Sequence, residues 1–480
     1  ARPAADFARV CVMVHIRCAG RATTWEKIMK RHSWALACAV ICTGAVGLPM
    51  PGQAAALTAG AGRATIDLPA ELLPIDRFTT VLDPLEVRVL VLGEGDHRAA
   101  VAVLDQTSLF ADNVTRIQSI VAKAARISPD AVMVVASHTF SAPHMFGAPP
   151  PGAAAGDPAE LARAGRYAAN AMAAVERAAA DAAKGEGPAT VSFGTVASQV
   201  NVNRNVETAE GWWLGADETG PSDKTLSVLR FTGIGGQPIA ALVNYPVQSS
   251  IMDQTGAPGG GKGVSADLAG NTVRRVEAKL GGVALFTTGA AGDQIPAYTA
   301  RHNSYGADGR PSTVDLGNGG YPLVALQGER LGDAALKAVK AAVPVKGVAL
   351  ARGDGVVSLP TQQRPRDLAQ LHPSRTYRYV VNGKSDAPFT VLAIGDVALV
   401  GVQVELNAAT GAWIRAHSPY AHTVVATMVN GAAKYLPDAS GYKAITYQAM
   451  NSSYAPGSAE VLAGAIIAEL RRMATPKARK

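Results

Sequence analysis

One histidine in this chain leaves an apolar run at a point where chemistry is often done. His138 lies in Ser137-His138-Thr139-Phe140-Ser141-Ala142-Pro143-His144, directly after the apolar run 131–136. A histidine at the C-terminal end of a buried strand is placed for metal ligation or proton transfer, or it braces the fold through hydrogen bonds. Asp105 and Asp267 each end or follow a strand-like segment. They either orient a neighbouring ligand or cap a helix, and Asp267 opens a helical stretch. Ser249, Ser250 and Thr288 supply hydroxyls, but nothing in the sequence sets a base beside them. Trp212-Trp213 form an apolar platform for a lipid or sugar, or they pack a loop. The segment 256–263 approaches a phosphate-binding loop but ends in Gly263, where Ser or Thr must hold magnesium. No apolar strand immediately precedes it, so we read it as a loop without nucleotide chemistry.

The elements that must carry these residues alternate between strand and helix. Segments 87–92 and 100–104 mix β-branched and small residues as strands do, 113–126 has helical spacing, and 131–136 reads as a short buried strand. The Ala-rich 158–184 predicts a helix. Strands follow at 190–196, 225–231 and 238–247, a helix at 267–280, a strand at 283–287 and a helix at 323–343. Later strands are expected at 345–350, 389–394, 398–402 and 423–429, with helices at 408–417 and 458–473. That order predicts one large α/β domain with a mixed sheet. The Gly/Pro-rich stretches 148–156, 256–263 and 306–321 read as long loops over a site.

Composition narrows the class. The 480 residues are 48% hydrophobic and 17% charged, a globular balance. The net charge of +7 is concentrated at the start, where residues 1–56 hold seven basic and two acidic side chains. The remainder is close to neutral and has no Lys/Arg run, which argues against nucleic acid as a partner. All four cysteines precede residue 43, so the rest has neither a disulfide scaffold nor a thiolate zinc site. From Met29 the chain carries a basic pair (Lys30, Arg31), an apolar stretch from Trp34 to Leu48, helix-breaking prolines, and small residues at Ala54 and Ala56. This reads as a secretory signal peptide over 29–56, with 1–28 an upstream extension and 57–480 the domain. Secretion or a periplasmic location is expected. No later run is long enough to predict a membrane span.

Several short segments then fall in a familiar order. They are His138-Thr139-Phe140, Asn201-Val202-Asn203-Arg204, Asp223-Lys224-Thr225, Tyr245-Pro246-Val247-Gln248-Ser249, Ser265-Ala266-Asp267, Gly292-Asp293-Gln294-Ile295-Pro296, Val404-Glu405-Leu406 and Asn430-Gly431 through Tyr435. In type and order they resemble the catalytic domain of the neutral/alkaline, non-lysosomal ceramidase family, from about Ala61 to Gly457. The family's C-terminal immunoglobulin-like domain has no counterpart expected here. The resemblance implies a zinc amidase that cleaves the N-acyl bond of ceramide, a lipid amide. It implies zinc on His138, Glu405 and Tyr435, oxyanion stabilisation by Tyr447, and a substrate-site role for Arg204. Nitrogen and carboxylate ligands suit zinc, and a tyrosine hydroxyl suits developing negative charge.

Three positions depart from the family pattern. Gln248, a neutral amide, stands at the fourth zinc position, Phe140 at a second histidine, and Ile295 at the serine. Two expectations follow. One is a hydrolase of amides or esters with rearranged chemistry, in which three protein ligands leave zinc an open position for water and His144 replaces a missing histidine. The other is a binding protein on the same fold without catalysis.

Overall fold

The alternation within strand Glu86–Glu94 divides the molecule into layers. Val87, Val89 and Val91 enter one apolar cluster, and Leu90 and Leu92 enter another. Successive side chains of a strand point to opposite faces, so both faces of this sheet are covered. The computed structural model describes residues 56–145, 157–256, 260–305, 311–365 and 367–475. The proposed leader at 29–56 and the extension at 1–28 lie outside them, apart from Ala56.

The strands of the main sheet run in the order Val283–Thr288, Pro238–Tyr245, Thr225–Gly233, Gly187–Ala197, Leu57–Thr65, Glu86–Glu94, His97–Leu104 and Val132–Ala136, with Val343–Pro344 pairing beside Gly187–Ala197. Pairing is parallel at the two ends and antiparallel between, so the sheet is mixed. Helices Ala111–Ala125 and Pro158–Lys184 cover one part of its outer face. Asp267–Leu280 and Pro322–Ala341 cover the other. Its inner face packs on a second sheet of Leu350–Gln362, Val381–Ile394, Val397–Val402 and His422–Ala426. Helices Ala408–His417 and Ser458–Ala474 close the far side of that sheet. The result is an α/β domain of four layers.

The first helix-to-strand contact depends on glycine. A Cβ at Gly60 or Gly62 would overlap the carbonyl oxygens of Ala182 and Ala178 on the long helix. Strand Leu57–Thr65 therefore lies closer to that helix than any side chain would permit.

The structure also corrects the sequence reading. The expected strand 345–350 is mostly irregular, and a strand begins only at Leu350. Stretch 306–321, expected as loop, includes the strand Pro311–Asp315, paired antiparallel with Arg301–Tyr305. Of the loop 148–156, all lies outside the described residues. Among the described residues no helix is long and apolar enough to cross a membrane.

Candidate active site

Strand ends and short paired segments at one edge of the two sheets bring six side chains together. His138 follows strand Val132–Ala136, which is anchored where Ser137 donates its N–H to the Leu104 carbonyl (2.9 Å). Gln248 follows strand Pro238–Tyr245. Glu405 and Tyr435 are cross-strand partners in a two-residue parallel pairing. Arg204 lies in strand Asn201–Thr208, which pairs with Gln294–Pro296. Tyr447 opens the short helix Tyr447–Met450.

The contacts form two pairs joined by an amide. His138 Nε2 stands 3.2 Å from Glu405 Oε2, and the same oxygen accepts from Gln248 Nε2 at 3.1 Å. Arg204 Nη1 donates to Gln248 Oε1 (3.2 Å) and to the Tyr435 hydroxyl (3.1 Å). Reversing the Gln248 amide would set its oxygen against a carboxylate and its NH2 against a guanidinium, so the network fixes its orientation. His138 Nδ1 faces the Thr107 carbonyl at 2.6 Å and must donate to it. That leaves Nε2 and Glu405 as two acceptors facing each other, a contact that needs a shared proton or a cation.

Burial sets the electrostatics. It disfavours charge on Arg204, yet Tyr435, Tyr447 and Glu405 outweigh it and hold the guanidinium above its ordinary pKa. Burial and then the Glu405 charge push the Tyr435 phenol up, against the pull of Arg204. Burial likewise raises Tyr447, whose ring meets Trp213 edge-on at 5.6 Å. Both tyrosines are therefore neutral hydroxyls at pH 7. Arg204 Nε is buried with no partner among the described residues. Several residues close to the cluster or its cavity have left-handed backbones without being glycine, among them His138, Gln254, Asn430, Lys434 and Ile445. Such strain collects where surrounding structure over-determines a site.

A cavity of about 170 Å³ opens at the Arg204 and Gln248 end of the cluster, lined by these two with Ser250, Asp253, Ile295 and Arg301 among others, while His138, Glu405, Tyr435 and Tyr447 do not line it. It holds a group of roughly benzene size, so a head group rather than a whole lipid. The Asp253 carboxyl beside it is raised by burial, with Lys262, Arg204 and His138 pulling the other way.

Of the remaining sequence candidates Ser250 lines the cavity, and the others make different contacts. His144 pairs through Nδ1 with Asp76, so it does not take a missing ligand's place. Asp105 belongs to a buried ion cluster, accepting from the Glu86 N–H (2.9 Å) with Arg88 at 3.5 Å. Asp267, which burial pushes up to about 6, accepts from the N–H groups of Ile251, Met252 and Leu268. It holds the chain just after Gln248. Ser249 and Thr288 spend their hydroxyls on backbone groups. Phe140 meets the His138 ring edge-on at 4.7 Å.

Sequence reasoning passed over Asp293. Its Oδ1 accepts from Ala408 N (2.8 Å) at the start of helix Ala408–His417, and its carbonyl accepts from Arg204 N (2.9 Å). One residue thus registers the Arg204 strand against the Glu405 segment, and a Gly-Asp pair after a buried strand was the available signal.

No protein-family model and no curated protein matches the chain. Among solved structures it is similar to the neutral ceramidase from Pseudomonas aeruginosa, with a TM-score of 0.67 and 16% identity over 89% of this chain and 76% of that one. A ceramidase complexed with C2 gives a TM-score of 0.65 and 16% identity over 89% and 77%. The fold is ceramidase-like.

That fold raises the question of zinc, and the donor set meets it only in part. Two ligands on a tetrahedral zinc, with bonds of ~2.05 Å, stand about 3.3 Å apart. The His138–Glu405 separation of 3.2 Å agrees, and a backbone bond at Nδ1 is how ligating histidines are oriented. The other two ceramidase positions do not agree. Gln248 turns its NH2 toward Glu405, and Tyr435 accepts from Arg204, whose positive charge lies beside any metal. Among the described residues no three or more His, Cys, Asp or Glu gather in a way that could hold a metal ion. The residues present do not fit a four-ligand zinc centre.

Proposed function

We propose that this chain is a hydrolase of an amide or ester bond in a lipid-like molecule, working at this cleft. The supporting observation is the meeting of the His138–Glu405 and Arg204–Tyr435 pairs across Gln248 on a fold shared with ceramidases. In this reading the substrate carbonyl enters beside Arg204 and Tyr447, which stabilise its oxygen as negative charge develops. Water is the nucleophile, because Ile295 carries no hydroxyl, Ser249 and Thr288 are engaged, and among the described residues no base is hydrogen-bonded to the Ser250 hydroxyl that lines the cavity. With one proton already shared between His138 Nε2 and Glu405 Oε2, the other Glu405 oxygen takes the water proton and passes it to the departing amine or alcohol.

The test uses the purified chain with a short-chain ceramide, a fatty-acyl amide and a 4-nitrophenyl acyl ester, with metal content measured alongside. Turnover should fall at least a hundredfold in Arg204→Ala and in His138→Ala. A chain that binds these lipids but turns none over transfers the conclusion to the second reading, a non-catalytic binding protein, which the Ile295 side chain at the serine position favours. Zinc bound at stoichiometry and lost with Glu405→Ala would add a metal to the first reading.

We place this activity outside the cytoplasm, on the signal-peptide pattern after Met29. N-terminal sequencing of exported protein should find a start between Gln53 and Thr58, and an intact Met29 there would overturn it.

A further inference from the structure

A second cavity, of about 520 Å³, lies against the start of the strand that carries Arg204, and its walls are basic. One wall is helix Pro322–Ala341, which presents Gln327, Arg330, Ala334 and Lys337. Spacings of three, four and three residues put these four on a single stripe. Arg330 and Lys337 stand two turns apart, about 10 Å along the axis, with the small Ala334 between them leaving the floor open. The facing wall is the turn from Ser198 to Val202, with Lys224 beside it. Lys224 Nζ donates to the Asn201 carbonyl, which leaves two of its three N–H groups for other partners.

The charges around this space are not balanced. Three cations face one acid, the exposed Glu218. Neither Arg330 nor Lys337 makes an ion pair or hydrogen bond among the described residues. Gln327, in contrast, is committed, since its amide clasps the backbone N–H and carbonyl of Tyr298 at 3.1 and 2.6 Å. That clasp makes the rim rigid. A single carboxylate offers two oxygens and cannot meet three cations on opposite walls. A phosphate offers three acceptor oxygens and up to two charges, and two linked phosphates offer more of both to cations whose long side chains converge on them. The volume falls within the range of small-molecule sites.

We propose that this cavity binds a small phosphate-bearing anion, held by Arg330 and Lys337 from the helix and Lys224 from the opposite wall. The site is separate from the cleft at Arg204, so it stands or falls independently of the hydrolase reading.

The experiment is calorimetric titration of the full chain with pyrophosphate, with inorganic phosphate and with citrate, at two salt concentrations. A parallel arm sediments the chain with phosphatidylcholine vesicles containing or lacking phosphatidylglycerol. Pyrophosphate should bind with one site per chain, at least tenfold tighter than citrate, and weaken severalfold between 50 and 200 mM salt. Arg330→Ala with Lys337→Ala should lower the affinity at least tenfold. Both residues are exposed on the helix, so the variant keeps its melting temperature and far-ultraviolet spectrum. Lys224→Met should give the same loss from the other wall. Binding of pyrophosphate without retention on phosphatidylglycerol vesicles identifies a soluble phosphate compound. Retention that the double variant abolishes identifies a phospholipid head group. Failure of pyrophosphate, phosphate and vesicles alike overturns the proposal, as does binding that the double variant leaves unchanged.

Discussion

Replacing Gln248 by histidine tests the reading of the polar cluster most directly. The His138–Glu405 pair already has the separation of two ligands on one tetrahedral ion, 3.2 Å. Gln248 reaches the same Glu405 oxygen at 3.1 Å but presents NH2, a donor, where a metal needs a lone pair. An imidazole at this position supplies that lone pair and removes the acceptor that engages Arg204 at 3.2 Å. Four-ligand structural zinc sites bind with about 10–16 kcal/mol, or roughly 3 kcal/mol per ligand. One added nitrogen ligand should therefore raise zinc affinity by about a hundredfold. The neighbouring Arg204 charge opposes this, so Gln248→His with Arg204→Met should gain more than Gln248→His alone. The assay is competition with a chromophoric chelator at pH 7.5, against wild type and Glu405→Ala. Equal zinc affinity for wild type and Gln248→His, within a factor of two, would refute the geometry. Gln248→His alone should not raise ceramide turnover above the wild-type level, because Ile295 still supplies no hydroxyl nucleophile. The same assay on Gln248→His with Ile295→Ser asks whether that hydroxyl is the missing piece.

Further outcomes follow from the same contacts. Arg204→Ala strands the Tyr435 hydroxyl and the Gln248 carbonyl beside an unbalanced Glu405, and should cost about 3 kcal/mol in urea unfolding; Arg204→Lys should recover part of it. Burial pushes the carboxyls of Asp267 and Asp293 up to about 6 in the folded chain, against 3.8 in their unperturbed state. The folded state therefore binds more protons between those values, and stability should rise as pH falls from 7 to 5. The gain is about 1.4 kcal/mol per group for each pH unit below 6, and it is complete near pH 4. Asp267→Asn should flatten that rise, and a urea midpoint that falls steadily from pH 7 to 5 would contradict the assignment. Gly62→Ala should lower the melting temperature by several degrees, at a cost of about 2–3 kcal/mol, because the added Cβ meets the Ala178 carbonyl; an unchanged melting curve would show that the helix can retreat.

Much of this architecture was legible in the chain. Buried strands such as 132–136 announce themselves by a short continuous apolar run, and the helices 267–280 and 408–417 by their period. The segment order around His138, Arg204, Gln248, Glu405 and Tyr435 was enough to suggest a shared edge, and those side chains do lie together. Local pattern fixes element type because a strand alternates at two residues and a helix at about 3.6, whatever lies beyond them. It does not fix what covers each face. The second sheet packs on the first through Leu90, Val101, Leu392 and Leu399, residues far apart in sequence whose burial looks the same beneath a helix or beneath a sheet. The roles within the cleft were decided at the same level. That Gln248 turns its NH2 to Glu405, that Arg204 occupies Tyr435, that His144 goes to Asp76 and that Asp293 ties two segments together are choices of orientation and partner. Hydrogen bonds are directional and short-ranged, so such choices exist only once the backbone has brought residues dozens to hundreds of positions apart within about 3 Å.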